Sequence, residues 1–206
     1  MENDYNIALK NKENNKYSEA LKAFRKIVNE NSLSKWKEKA QKDIREIEGI
    51  LHDVLVKESK SWYDKGLDLY KKEEFEKANE IFEKVTKEYR DTEWDKKAQV
   101  KVDEFQAKKI YEDIKKEIES INYYEAITKF DELKKINGTK ELVDKIAMNL
   151  SQNVNKIYEA GKRYTRDKEY NKAYKVYFYI KENFPNTEIS ERIADRIREV
   201  EKKIKE

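Results

Sequence analysis

Side chains able to do covalent or metal chemistry are scarce in this sequence. It holds no cysteine and a single histidine, His52, which excludes thiolate nucleophiles, disulfides and the usual zinc sites. One imidazole works as a general base only beside a group that orients it, and no such group stands at a telling spacing from His52. The residue lies within 50–56, the most apolar run in the chain, which predicts a packed or capping imidazole. Asp and Glu are abundant, but they stand among lysines at i,i+4, as in Glu38 with Lys42 and Glu112 with Lys116. That is the pattern of solvated helix faces rather than of a carboxylate pair. Phosphate loops, dinucleotide fingerprints, nucleophile elbows and HExxH helices are absent. The sequence predicts no enzyme, no cofactor and no metal.

What remains is the chemistry of binding. Tyr5, Tyr63, Tyr111 and Tyr158 form a column at fixed spacing, described below, and tyrosine presents a rigid, amphipathic ring at small entropic cost. Near the last of them Lys162, Arg163 and Arg166 gather positive charge, suited to an acidic peptide or a terminal carboxylate. Each group has a plainer reading: aromatics at helical spacing pack helices together, and charges on a helix make a solvated, salt-bridged face.

The elements that must position these residues emerge from an internal repeat. Four segments carry an aromatic, alanine three residues on, an aromatic four further and a branched aliphatic three beyond. They read Tyr17-Ala20-Phe24-Ile27, Phe75-Ala78-Phe82-Val85, Tyr123-Ala126-Phe130-Leu133 and Tyr170-Ala173-Tyr177-Ile180. Those offsets draw one stripe on an α-helix. Fifteen residues before each alanine stands a column tyrosine, and three after each tyrosine comes Ala8, Gly66, Ile114 or Gly161. Ser34, Thr92, Thr139 and Thr187 follow the stripes as N-cap candidates. After the first two caps Trp36-Lys37-Glu38-Lys39-Ala40-Gln41 is nearly repeated by Trp94-Asp95-Lys96-Lys97-Ala98-Gln99; after the other two, Ala147 and Ala194 take the alanine's place. The alanines are 58, 48 and 47 residues apart. The intervening segments 34–73, 92–120 and 139–168 read as long helices, with a break open near Gly49 or around 59–61. A 30-residue helix is about 45 Å long, enough to pack one short helix against each half.

On these motifs the chain resembles the tetratricopeptide repeat superfamily, whose pattern sets a small residue, alanine twelve later and an aromatic four beyond. Trp62-Gly66-Ala78-Phe82 fits with its leading aromatic, Gly161-Ala173-Tyr177-Pro185 fits with its closing proline, Ala8-Ala20-Phe24 fits in part, and the third repeat only through Ala126-Phe130. The Tyr-x-x-small start and the Phe184-Pro185-Asn186-Thr187 ending look most like bacterial envelope-type repeats, of the outer-membrane-assembly lipoprotein and Tol-Pal accessory kind. The family's repeat is near 34 residues, so the repeats here are unusually long. The resemblance implies an α-solenoid of helical hairpins that binds a peptide, helix or partner subunit along the groove formed by the first helices. In the family's carboxylate-clamp members Asn and Lys or Arg recur at set positions on the first helices; the position after each small residue here is Leu9, Leu67, Lys115 and Lys162, with no asparagine, which departs from the clamp.

Composition agrees with folded helix. Charged residues are 43% of the chain, yet 46 basic face 43 acidic, so self-repulsion is weak, and the 12% of aromatics is more than disorder carries. With four glycines and one proline, a many-stranded fold lacks its turn residues. No stretch reaches the ~18 apolar residues of a membrane span. Arg192, Arg196 and Arg198 interleave with Glu191, Asp195 and Glu199, whereas a nucleic-acid surface segregates one sign. The sequence thus predicts an all-α domain over 1–206, four repeats centred on Ala20, Ala78, Ala126 and Ala173, acting as a protein-interaction scaffold. A self-associating spacer is the alternative, and no nucleic acid or membrane insertion is expected. A first residue Met1 without a leader suggests the cytoplasm, while the resemblance points to the envelope. Candidate partner contacts are Tyr5, Tyr63, Tyr111, Tyr158, Lys162 and Arg166. If the tyrosines are contacts, Tyr63→Ala with Tyr158→Ala weakens partner binding while circular dichroism stays helical; unfolding marks them as packing residues.

Overall fold

In the computed structural model, which describes residues 2–30, 35–185 and 188–206, the described residues fold into ten helices and no strand. In chain order these are α1 (Glu2–Glu13), α2 (Tyr17–Glu30), α3 (Lys35–Lys71), α4 (Phe75–Glu88), α5 (Glu93–Glu119), α6 (Tyr123–Leu133), α7 (Lys140–Gln152), α8 (Val154–Arg166), α9 (Tyr170–Asn183) and α10 (Glu188–Lys205). The four stripes are the buried faces of α2, α4, α6 and α9. Their alanines, central aromatics and aliphatics are all buried, and each large side chain so removed from water contributes about 1.5–3 kcal/mol.

Contacts gather into two units, 1–99 and 100–206, each holding two of the four alanine-centred repeats. In the first unit α1 packs on α2, and both α2 and α4 pack on α3. One long helix serves two short ones there. In the second unit α6 packs on α7 and α9, and α9 packs on α8 and α10, around a core that includes Ile114, Phe130, Leu150, Ile157, Tyr177 and Ile193.

Every hairpin from first to second helix turns in the same way. Asn15, Glu73, Ile121 and Lys168 have φ of 59°, 62°, 60° and 62°, and each lies five residues before a repeat alanine. The amide after each reaches back to the helix, as in Glu74 N to Leu69 O at 3.1 Å and Asn122 N to Glu117 O at 2.9 Å. The left-handed residue's own amide bonds the carbonyl three before it, as in Glu73 N to Tyr70 O at 3.1 Å. Together these two bonds make the Schellman closure. It usually takes glycine, and none is used here.

Several expectations need correction. The open question of a break in 34–73 resolves as a continuous α3: Ser59 Oγ donates to the Val56 carbonyl at 2.9 Å without interrupting the helix, and Gly49 sits in open space. The segment 139–168 is instead broken, between α7 and α8. There Asn153 N bonds Leu150 O at 3.1 Å, and the Asn153 side-chain amide takes the Asn149 carbonyl at 2.9 Å. A side chain that supplies the helical bond of its own backbone lets the chain leave the helix. His52 is neither packed nor capping. It is exposed on the stretch of α3 beyond the short helices' cover, near Val54 and Leu55, which are 46% and 44% exposed. Thr92 caps α5, accepting from Asp95 N at 3.1 Å. Thr139 does not cap α7 with its side chain; its hydroxyl donates to the Ile136 carbonyl at 2.8 Å. Ser34 and Thr187 lie outside the described residues. Ala40 and Ala98 are buried as expected, but their counterparts are Ile146 and Ile193, because Ala147 is half-buried and Ala194 exposed.

Among the left-handed turn residues Ile121 is the most strained, since β-branching crowds the backbone at positive φ. Its side chain is 47% exposed, so little packing offsets that strain. Ile121→Gly is expected to stabilise the chain by about 1 kcal/mol, read as a higher denaturant midpoint at unchanged slope.

Candidate functional site

The column tyrosines each stand on the first helix of a hairpin and turn their rings to its interior. Tyr5 lies 5.5 Å from Phe24 and 5.1 Å from Trp36, centroid to centroid. Tyr63 lies 5.5 Å from Phe82 and 5.3 Å from Trp94. The two triads share these ring spacings, and each is a tilted cluster of the kind aromatic quadrupoles favour. Tyr158 lies 5.9 Å from Tyr177, and Tyr111 packs half-buried on the second unit's core. At Tyr63, only 9% exposed, the ring serves helix packing. The Tyr5 hydroxyl donates to Asp43 at 2.5 Å, and Lys12 pairs with the same carboxylate at 2.6 Å. Burial, reinforced by Asp43, pushes the Tyr5 hydroxyl up to about 12, so it remains a donor at neutral pH. This network ties α1 to α3.

Lys162 and Arg166 have a different setting. Both line an open groove of about 880 Å³ in the second unit. α8 forms most of its wall; Arg196 of α10, Tyr177 of α9 and Ile121 of the α5–α6 turn complete it. Five of the lining side chains are basic, namely Lys156, Lys162, Arg163, Arg166 and Arg196, and Glu159 is the one acid. The amphipathic α8 explains the arrangement. Ile157, Ala160, Gly161 and Tyr164 are buried, so the cations between them are left on the outer face.

These cations are held loosely. Lys162 reaches Glu159 at 2.9 Å, Arg166 reaches Asp167 at 3.3 Å and Arg196 reaches Glu199 at 2.9 Å, all in largely exposed pairs worth ~0–1 kcal/mol each. Glu199, with the Tyr158 hydroxyl, raises the Arg196 pKa above its ordinary value. Arg163 donates to the Ile121 carbonyl at 3.1 Å, which braces the strained turn against α8. Chemically the groove can seat an anion. Its donors are charged and shallow, and they exchange weak partners at small cost.

The sequence singles out Lys162, Arg163 and Arg166, which the fold brings together. Tyr158 adjoins them through its ring, with Lys162 Nζ 5.7 Å from the centroid. Tyr5 and Tyr63 belong to the first unit. Arg196 is missing from the sequence's candidates because its neighbours in the chain are acidic, and only the helical face sorts them. Among the described residues no cluster of His, Cys, Asp or Glu is arranged to hold a metal ion, and no helix is long and apolar enough to cross a membrane. Compared with known protein families and with curated proteins, the chain matches none of either.

The packing of the column has a measurable consequence. Tyr63→Ala is expected to cost about 3 kcal/mol of stability, seen in a denaturant melt, and Tyr158→Ala about half as much because that ring is half-buried.

Proposed function

We propose that the chain is a non-enzymatic protein-interaction scaffold, a tetratricopeptide-like α-solenoid of helical hairpins, that binds an acidic segment of a partner protein in the α8 groove. The observation that carries this reading is the excess of five cations over one acid in a single open groove. Elsewhere the surface is dominated by lysine–carboxylate pairs three or four residues apart, such as Lys77 with Glu74, Lys87 with Glu83 and Lys145 with Glu141. Pairs of that kind occur at the groove too, Lys162 with Glu159 and Arg196 with Glu199, but its lining still holds more cations than acids. α8 is the first helix of the last repeat, so the site falls where peptide-binding helical repeats of this kind offer a surface.

A short carboxylate-rich peptide suits the groove because its charges are discrete and its backbone is thin. Long-range attraction steers such a ligand and fixes its register more than it adds to affinity, so binding should be of moderate strength and salt-sensitive. A scaffold using this groove needs no chemistry beyond that contact.

Fluorescence anisotropy with a labelled hexaglutamate peptide tests the reading. Binding is expected at about 50 mM salt and is expected to weaken markedly at about 300 mM. Lys162→Glu with Arg166→Glu is expected to weaken it about tenfold or more, with helicity unchanged because both side chains are exposed. Absence of binding by the unaltered chain, or tighter binding of a single-stranded RNA of equal charge, would overturn the proposal.

A further inference from the structure

The most apolar run of the chain, 50–56, is also the barest part of α3. Buried side chains recur every three or four residues toward both ends of that helix, at Ala40, Asp43 and Ile47 and again at Ser59, Tyr63 and Gly66. Between Ile47 and Ser59 none is buried. Val54 and Leu55 are nearly half exposed there, and Ile50 and Leu51 are partly covered. Leu51 still touches the core beneath α2.

The spacing of the repeat shows where this stretch comes from. Trp36 packs on Tyr5, and Tyr63 packs on Phe82, so α3 has one packing site for each of its two hairpins, 27 residues apart. In α5 the equivalent Trp94 and Tyr111 are 17 apart. The surplus of ten residues is about 15 Å of helix. Helix formation does not require those residues to be apolar, since lysine and glutamate serve as well as leucine and better than valine or isoleucine. A chain with only 37% hydrophobic residues nevertheless leaves them in solvent.

At 3.6 residues per turn Ile50, Leu51, Val54 and Leu55 share one side of α3, with His52 and Asp53 turned away and Glu58 at the C-terminal edge. They make two neighbouring i,i+4 ridges, Ile50–Val54 and Leu51–Leu55. Such ridges interdigitate with ridges of the same kind at a crossing angle of about −50°. A helix is about 10–12 Å across with its side chains, so the bare stretch accommodates one. A second α3 brings the same two ridges, and the face is complementary to itself. Charge favours the antiparallel sense. Residues 45–48 hold two acids and one base, residues 57–60 two bases and one acid, and a two-fold sets the first group toward the second.

We infer that this face of α3 joins two copies of the chain, the helices crossing about a two-fold near His52 and Asp53. The inference does not rest on the groove reading. A two-fold contact between identical faces closes on itself, so association stops at the dimer. Four apolar side chains from each copy bury less than the roughly 1,200 Å² at which stable interfaces begin. The dimer is therefore weak, with a dissociation constant on the order of 100 µM, and it carries two α8 grooves.

Sedimentation of the unaltered chain from about 10 to about 500 µM is expected to show the mass rising from the monomer's 24.9 kDa toward twice that value. Val54→Gln with Leu55→Glu is expected to stay monomeric throughout with helicity unchanged, because both side chains are exposed. The chain has no cysteine, so Val54→Cys reports on this contact alone. Under mild oxidation it is expected to form a disulfide-linked dimer faster than Met148→Cys, whose position is more exposed still at 64%. Should helicity fall in the double variant, the two cysteine variants decide. A chain still monomeric at about 500 µM, a mass climbing beyond the dimer, undiminished association in the double variant, or equal cross-linking by the two cysteine variants overturns the inference.

Discussion

The rest of the structure depends on one close approach, that of each hairpin's first helix to the aromatic at the centre of its second. At Gly66 an added Cβ would stand 2.6 Å from Phe82 Cε1, nearer than van der Waals contact allows. Ala8 facing Phe24 and Gly161 facing Tyr177 keep the same sixteen-residue relation, and in the third repeat the buried Ile114 takes the small residue's place. The approach lets an aromatic ring fill the space between two helices with few other large residues. A chain with only 37% hydrophobic residues can bury its second helices this way because each hairpin needs one stripe and one column.

Close hairpins require sharp, equivalent turns, and the left-handed residue five before each alanine provides them. The turn is conserved as geometry rather than as residue type: asparagine, glutamate, isoleucine and lysine all occupy it. In the second unit the strained turn at Ile121 also joins neighbouring repeats. Arg163 bonds its carbonyl, the Tyr164 hydroxyl donates to Asn122 at 3.2 Å, and Lys175 pairs with Asp131 at 3.4 Å. Below these polar ties Phe130 and Tyr179 meet edge to face at 6.4 Å. The first unit achieves the corresponding continuity by keeping α3 unbroken beneath two short helices.

How much of this was legible in the sequence follows from which properties repeat as residue types. The stripes of α2, α4, α6 and α9 were legible because alanine and the aromatics recur at helical spacing, and so were the long helices, which no proline interrupts. The left-handed turns were not, since four unrelated residues share them. Nor was the break at Asn153, where an ordinary asparagine ends α7 by hydrogen-bonding its own preceding turn; the sequence offers many asparagines that do nothing of the kind. Ala147 and Ala194 misled because alanine matched alanine, whereas the buried counterparts of Ala40 and Ala98 are isoleucines. For the groove, Lys162 and Arg166 were visible as a local cluster. Arg196 was hidden among acidic neighbours, and Tyr177 resembled one more core aromatic.

A surface so rich in opposite charges places its own condition on recognition. Exposed pairs one helical turn apart cancel each other's fields beyond a distance of about 8–10 Å at moderate salt, so most of the chain's 89 charged side chains are invisible to a distant partner. Where cations from separate helices line one groove the field reaches further, and α8 with Arg196 of α10 forms such a groove among the described residues. Charge alone there would still be indiscriminate, because any flexible anion neutralises lysines and arginines about equally well.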